Sequence, residues 1–233
     1  MIRSLIFKIF FNIGLVIVCL VFLPALILPQ RVALFGGKLL GHWSKICLRI
    51  FLSTKIEILG KEKIIKDEKF FIACSHQSMF ETFFLQTLFN SPIFILKKEL
   101  IKIPIFGWYL KKIGSITIDR NKISKENLGF TDKIDLAIKK SNRPVIIFPQ
   151  GTRVDENFRG PFKKGVSRIY DHLKIKCQPV AINSGKTWPK DGNVSPNKIL
   201  IVSILKPIEP GMESKEFLNC LQSNIYSELD IIN

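Results

Sequence analysis

The sequence predicts an α/β domain built on a mixed, largely parallel sheet flanked by helices, preceded by an N-terminal hydrophobic, membrane-anchoring helical segment. Three observations lead there. Short runs rich in Ile, Val and Phe, bounded by Pro, Gly or polar residues, alternate with stretches of helical periodicity, the pattern of strands joined by helical crossovers. A chain of 233 residues with 47% hydrophobic content and 19 Phe has ample material for one α/β core, with or without an appendage, and is not a disordered chain. Residues 9–28, "IFFNIGLVIVCLVFLPALIL", carry no charge and are long enough to cross a bilayer core as a helix.

That first run is too long for the apolar part of an ordinary signal peptide, and no small-residue cleavage site of the A-x-A kind follows it. A helix apolar on all sides needs lipid or a large protein around it. Pro24 is expected to kink it. Arg3 and Lys8 precede the run and Arg31 and Lys38 follow it, so local charge does not set an orientation. Residues 32–52, "VALFGGKLLGHWSKICLRIFL", mix apolar residues with Lys38, Lys45 and Arg49. They suit an amphipathic helix, either lying in the membrane interface with Trp43 at headgroup depth or packed on the soluble domain. Residues 1–55 are therefore expected to form the membrane-anchoring segment and 56–233 the α/β domain. The Lys-rich bulk of the chain and the lack of an export signal place it on the cytoplasmic face of the inner (plasma) membrane.

The expected strands are "KFFIAC", "PIFIL", "GSITI", "PVIIF", "QPVAI" and "KILIVSIL". Between and after them, helices are expected over 78–89, 124–140, 163–173 and 214–229; in the last, Phe217, Leu221, Ile225 and Leu229 recur at four-residue spacing and Ser214 is a candidate N-cap. In such sheets function gathers on loops just past the strand C-termini. Three polar clusters fall there: "SHQSMFE" after the first strand, Asp119-Arg120 after the third, and "PQGTR", residues 149–153, after the fourth.

His76 stands at a strand-to-helix turn, and Glu81 follows five residues later. Residues i and i+5 are not neighbours on a regular helix, so a pairing requires His76 to stand in the turn before the helix. A neutral imidazole can take up a proton near pH 7, and a carboxylate on its other nitrogen fixes the tautomer and stabilises the imidazolium. The competing reading is a satisfied structural histidine. No G-x-S-x-G elbow supplies a serine nucleophile, and Cys74 reads as a buried strand cysteine. The base is then left to deprotonate a substrate hydroxyl directly. Gly151, Thr152 and Arg153 form a loop able to offer backbone N–H groups, a hydroxyl and a guanidinium to a phosphate, and Arg120 is a second anion holder. "SGKT", residues 184–187, imitates the end of a phosphate-binding P-loop, but Val180 occupies the place of its first glycine, so that reading is rejected.

Charge and cysteine usage narrow the partners. Against 19 Asp+Glu stand 35 Lys+Arg, a formal +16, which attracts phosphates on nucleic acid, an anionic membrane or acidic substrates. Five scattered cysteines with no C-x-x-C spacing speak against a disulfide framework or a zinc site and for reduced thiols. No nucleic-acid-binding motif is present, and the anchor segment argues against such a partner.

Taken together, the clusters resemble the glycerolipid acyltransferase family, specifically the bacterial 1-acyl-glycerol-3-phosphate (lysophosphatidic acid) acyltransferases. The likeness runs from about residue 70 to 207. "HQSMFE" resembles the family's H-x4-D motif, "KKEL" with "IPIFGW" its linking segment, "GSITIDR" the second motif, "FPQGTR" the third (F-P-E-G-T-R), "PFKKG" its usual follower, and "QPVAI" the proline-bearing fourth block. The resemblance implies His76 as general base and Glu81 as its partner carboxylate. It implies Arg120, Gly151, Thr152 and Arg153 as holders of the acceptor's glycerol phosphate, and Pro179 as a residue shaping the acyl or acceptor pocket. Glu81 departs from the usual Asp, and Gln150 from the usual Glu, which could alter the head group accepted. The reaction implied moves a fatty acyl group from acyl-CoA or acyl carrier protein to the 2-hydroxyl of lysophosphatidic acid, giving phosphatidic acid, with no metal and no covalent acyl-enzyme. Lyso-ornithine lipid or another lysophospholipid is the alternative acceptor. A non-enzymatic lipid-binding membrane protein is the competing class. Donor, acceptor and membrane lipids are all anionic, which accounts for the excess positive charge.

Overall fold

The computed structural model describes residues 2–118 and 129–233. Helix α1 (Ile2–Val21) is followed by a 3₁₀ turn (Leu23–Leu26) and helix α2 (Gln30–Leu52). The apolar helix thus begins earlier than the uncharged run. Pro24 does not kink it; it lies in the 3₁₀ turn beyond the helix end, where a missing N–H costs nothing. Arg3 donates to the carbonyl of Phe51 (3.0 Å) and to Ser53 Oγ, so α1 runs antiparallel to α2.

Then follow β1 (Lys55–Leu59), β2 (Phe70–Cys74), α3 (Phe80–Leu88), β3 (Ile93–Lys97), α4 (Phe106–Lys112), β4 (Ile116–Ile118), α5 (Phe130–Ser141), β5 (Val145–Ile147), α6 (Gly165–Leu173), β6 (Lys176–Ile182), β7 (Ile199–Ile204) and α7 (Ser214–Ile232). Only part of the helix expected over 124–140 falls within the described residues, as α5. The strand order is β1-β7-β6-β2-β5-β3-β4. Every pairing is parallel except β6 with β7, so the sheet is mixed and largely parallel, as expected. Among the described residues there are seven strands rather than the six read from sequence. The addition is β1, "KIEIL", at the sheet edge, where alternating charges hide the strand signal while suiting an edge exposed to water. Helix α7 is capped by Glu213, whose side chain accepts from the Glu216 N–H; Ser214 is the first helical residue instead of the cap. The spaced quartet Phe217, Leu221, Ile225 and Leu229 is buried.

The core has two layers. On one side of the sheet, Phe217 and its repeat pack with Ile134 of α5 and Ile169 of α6. On the other, Leu48 and Leu52 of α2 and Phe80 and Phe84 of α3 pack on Ile72, Ile146 and Val202. Phe7 and Phe11 of α1 belong to this second layer. Their rings meet Trp188 edge-on at 5.0 and 4.8 Å, and Phe11 also meets Phe83. Residue 55 therefore marks a change of secondary structure, not a break in the core. Gly41 lets α2 approach α3 closely, since a Cβ there would sit 2.6 Å from the Phe83 carbonyl oxygen. Trp43 lies against Gly14 of α1. Helix α2 is thus packed on the domain by one face, while Phe35, Leu39, Ile46 and Ile50 remain exposed. Phe11→Ala should destabilise the whole α/β domain by about 3–5 kcal/mol, the usual cost of truncating a buried Phe, read as a lowered unfolding midpoint in detergent. A midpoint equal to wild type would mean that α1 does not share the core.

Candidate active site

The first cluster begins where β2 ends. Ser75 is buried; its N–H donates to the Val180 carbonyl (3.0 Å) and its Oγ accepts from the Ile182 N–H (2.8 Å), which ties the turn to β6. His76 donates its backbone N–H to Gln150 Oε1 (3.0 Å) and accepts at its carbonyl from the Val154 N–H (2.9 Å). The histidine turn and the "PQGTR" loop are thereby locked together at the C-terminal rim of β2 and β5.

Glu81, in the first turn of α3 and fully buried, reaches back to the open N-terminus of its own helix. Its Oε1 accepts from the Gln77 and Ser78 N–H groups (both 3.0 Å) and from Ser184 Oγ, and its Oε2 accepts from the Ser78 N–H at 3.0 Å. Helix N-termini present such unpaired N–H groups, and their dipole favours a carboxylate. His76 Nδ1 lies 3.5 Å from Glu81 Oε2, beyond a normal hydrogen bond. The imidazole stacks on Phe148 with centroids 3.9 Å apart and planes at 17°. His76 does stand in the turn before the helix, as the pairing demands. With Nδ1 facing the carboxylate, Nε2 at the opposite edge of the ring is the nitrogen left to act as base.

His76 borders a cavity of about 470 Å³ enclosed by α1, α2, α3, α4, β3 and the 148–153 loop. Lys97, Arg153 and Lys190 line it; among the described residues no Asp or Glu does, and most of the remaining wall is apolar, including Phe22, Leu40 and Leu110. Among the described residues no carboxylate lies within ion-pair distance of Arg153. Such a chamber suits a ligand with an anionic head and a hydrocarbon tail.

A model of the family described as Acyltransferase matches residues 55–183, more than half of the chain. The chain belongs to the acyltransferase family. It is 32% identical over 154 residues to a 1-acyl-sn-glycerol-3-phosphate acyltransferase of Pseudomonas aeruginosa, a match covering 65% of this chain and 59% of that one. To the protein of the same name from Bacillus subtilis it is 30% identical over 154 residues, 63% of this chain and 74% of that one. The crystal structure of a 1-acyl-sn-glycerophosphate (LPA) acyltransferase from Thermotoga maritima shares the fold, with a TM-score of 0.79 at 20% identity over 100% of this chain and 98% of that chain. The chain spans about three-fifths of the length of the Pseudomonas relative.

Within this acyltransferase-family fold the expected site residues take different places. His76, Thr152 and Arg153 line the cavity, and Glu81 stands behind His76. Arg120 lies outside the described residues. Gly151 does not line the cavity, and its N–H is taken up by the Phe148 carbonyl at 2.9 Å. Its φ of 77° explains the residue type, since a side chain is strained there. Pro179 is buried in β6 opposite Ala73 and is not part of the cavity wall. Its carbonyl accepts from the Leu205 N–H on the β7 side, so its missing N–H faces that side too and the ladder to β2 loses no bond.

Gln150 is buried, outside the cavity wall, and its Oε1 takes the His76 N–H. An amide supplies that acceptor as well as a carboxylate would, so its place gives no support to an altered head-group choice. Cys74 is fully buried in β2; burial first, and the Glu81 charge second, push its thiol well above the ordinary range. A thiol so held is protonated at neutral pH and is no nucleophile. Sequence reasoning missed Lys190, for which no signal exists, and Phe148, whose stacking on the imidazole follows only from sheet order. Lys97 belonged to the quoted "KKEL" without a role. Ser184 belonged to the rejected "SGKT".

Proposed function

We propose that the protein transfers a fatty acyl group from acyl-CoA or acyl carrier protein to the 2-hydroxyl of lysophosphatidic acid, giving phosphatidic acid in phospholipid biosynthesis. The observation that carries this is the His76–Glu81 pair at the wall of a cavity whose charged lining, among the described residues, is cationic and whose remainder is largely apolar. The activity for which the relatives are named supports it. In this reading the acceptor phosphate meets Arg153, and the acyl chains occupy the apolar wall. Nε2 of His76 takes the proton of the 2-hydroxyl as its oxygen attacks the thioester carbonyl. A C–O bond forms, the C–S bond breaks, and the proton passes from the imidazolium to the departing thiolate. Glu81 holds the imidazole in orientation and offsets the charge it gains.

The test offers the membrane-bound protein a panel of lysolipids, each with acyl-CoA or acyl carrier protein, and scores the product. Phosphatidic acid is expected as the main product. Product only from lyso-ornithine lipid or another lysophospholipid would move the assignment to that acceptor, and no product from any would leave a lipid-binding role. Arg153→Ala is expected to raise the acceptor KM strongly, about tenfold or more for loss of a charge-assisted contact. Arg153→Lys should raise it less, and the donor KM should change little in both. A KM increase confined to the donor would overturn the role of Arg153.

We further propose that α1 and α2 hold the enzyme to the cytoplasmic face of the membrane by entering one leaflet. Ile9, Ile13, Val16, Ile17 and Leu20 of α1 are exposed alongside Phe35, Leu39, Ile46 and Ile50 of α2, an apolar surface that water disfavours. Docking of α1 on the domain through Phe7 and Phe11 supports a helix lying along the bilayer surface over one that leaves the domain to span it. Retention of the protein in membranes after alkaline carbonate is the expected result, and complete release would refute it.

A further inference from the structure

The turn after β6 closes over the back of the catalytic pair. Ser184, fully buried, donates its hydroxyl to Glu81 Oε1. The next residue, Gly185, donates its N–H to Gln77 Oε1 at 2.9 Å, and a Cβ on Gly185 would approach that oxygen to 2.9 Å. Two β6 contacts pin the same turn from its other end, Ile182 to Ser75 Oγ and Asn183 to Ile201 through both backbone and side chain. The carboxylate that faces His76 is therefore held from two sides: by backbone N–H groups of its own helix start, and by one side-chain hydroxyl more than a hundred residues away in sequence.

The backbone donors all converge on the carboxylate from the single turn of Gln77 and Ser78. The Ser184 hydroxyl comes from a separate element and fixes the remaining direction. A hydrogen bond to a charged acceptor is roughly twice as strong as one between neutral groups. Glu81 is one methylene longer than aspartate, so it has one more torsion to fix, and an added anchor matters more for it.

We propose that Ser184 is a positioning residue for the proton-transfer pair: through Glu81 it sets the direction in which His76 presents Nε2 to the acceptor hydroxyl. Ser184 does not line the cavity, so its influence falls on the chemical step and not on binding. The inference rests on the acyl-transfer reading given above.

The experiment compares the full-length protein with Ser184→Ala, Ser184→Thr, Glu81→Gln and the double variant Ser184→Ala/Glu81→Gln, all in the same membranes or detergent. Ser184→Ala is expected to lower kcat about tenfold or more with both KM values within about twofold of wild type. Ser184→Thr, which keeps the hydroxyl, is expected to recover most of the rate. In the Glu81→Gln background, Ser184→Ala is expected to cost little more, because residues acting through one another are not additive. The unfolding midpoint is recorded for each. Full activity of Ser184→Ala, additive losses in the double variant, or a loss that only tracks a fallen midpoint would each overturn the inference while an active wild type upholds the acyl-transfer reading. A wild type inactive on every lysolipid and donor would remove that reading and the inference together.

Discussion

His76→Ala is expected to lower the rate of phosphatidic acid formation by at least ~10²–10⁴-fold, the usual contribution of a general base. The loss should fall on kcat with the protein still folded and membrane-bound. The side chain makes a face contact with Phe148 and accepts no structural hydrogen bond at Nδ1, and the backbone bonds of His76 to Gln150 and Val154 do not depend on the imidazole. Its removal therefore takes away the proposed base without dismantling the turn. Steady-state kinetics and an unfolding curve on one preparation check this; a drop of only a few-fold would remove His76 from the mechanism.

Glu81→Gln should approach the same loss through a different route. The amide matches the carboxylate in size, and its oxygen can keep the position that receives Gln77, Ser78 and Ser184. The NH₂ then falls where Oε2 faces His76 Nδ1. A donor there turns the imidazole toward the wrong tautomer and gives no compensation for the imidazolium; the corresponding change in a Ser-His-Asp triad costs about 10⁴ in kcat. A reduction of about 10²–10⁴ in kcat with little change in either KM is expected. Wild-type rates would show that Glu81 only caps α3.

Some of this was legible residue by residue. The helix repeat at Phe217, Leu221, Ile225 and Leu229 and the apolar strands give local patterns whose period sets which face is buried. His76 and Glu81 sit close enough in sequence that a strand-to-helix turn brings them together. Edge strand β1 was not legible, because its charges satisfy the solvent side and break the apolar run. Nor was the extent of α1: the uncharged run starts at residue 9, whereas the helix starts at Ile2 and buries Phe7 against Trp188.

By itself the sequence determined the α/β class, the order of the polar clusters along the strand ends, the proximity of His76 and Glu81, and an apolar N-terminus. Those properties follow from periodicity, turn chemistry and short spacings, which act within a dozen residues or so. The tertiary structure alone decided that α1 shares the hydrophobic core of the α/β domain, that Gly151 turns the loop without offering its N–H, that Pro179 stands in the sheet away from the cavity, and that Ser184 meets Glu81. Each depends on which strands lie side by side in the order β1-β7-β6-β2-β5-β3-β4. That order is set by burying both faces of the sheet at once, a balance over the whole chain that no local stretch contains.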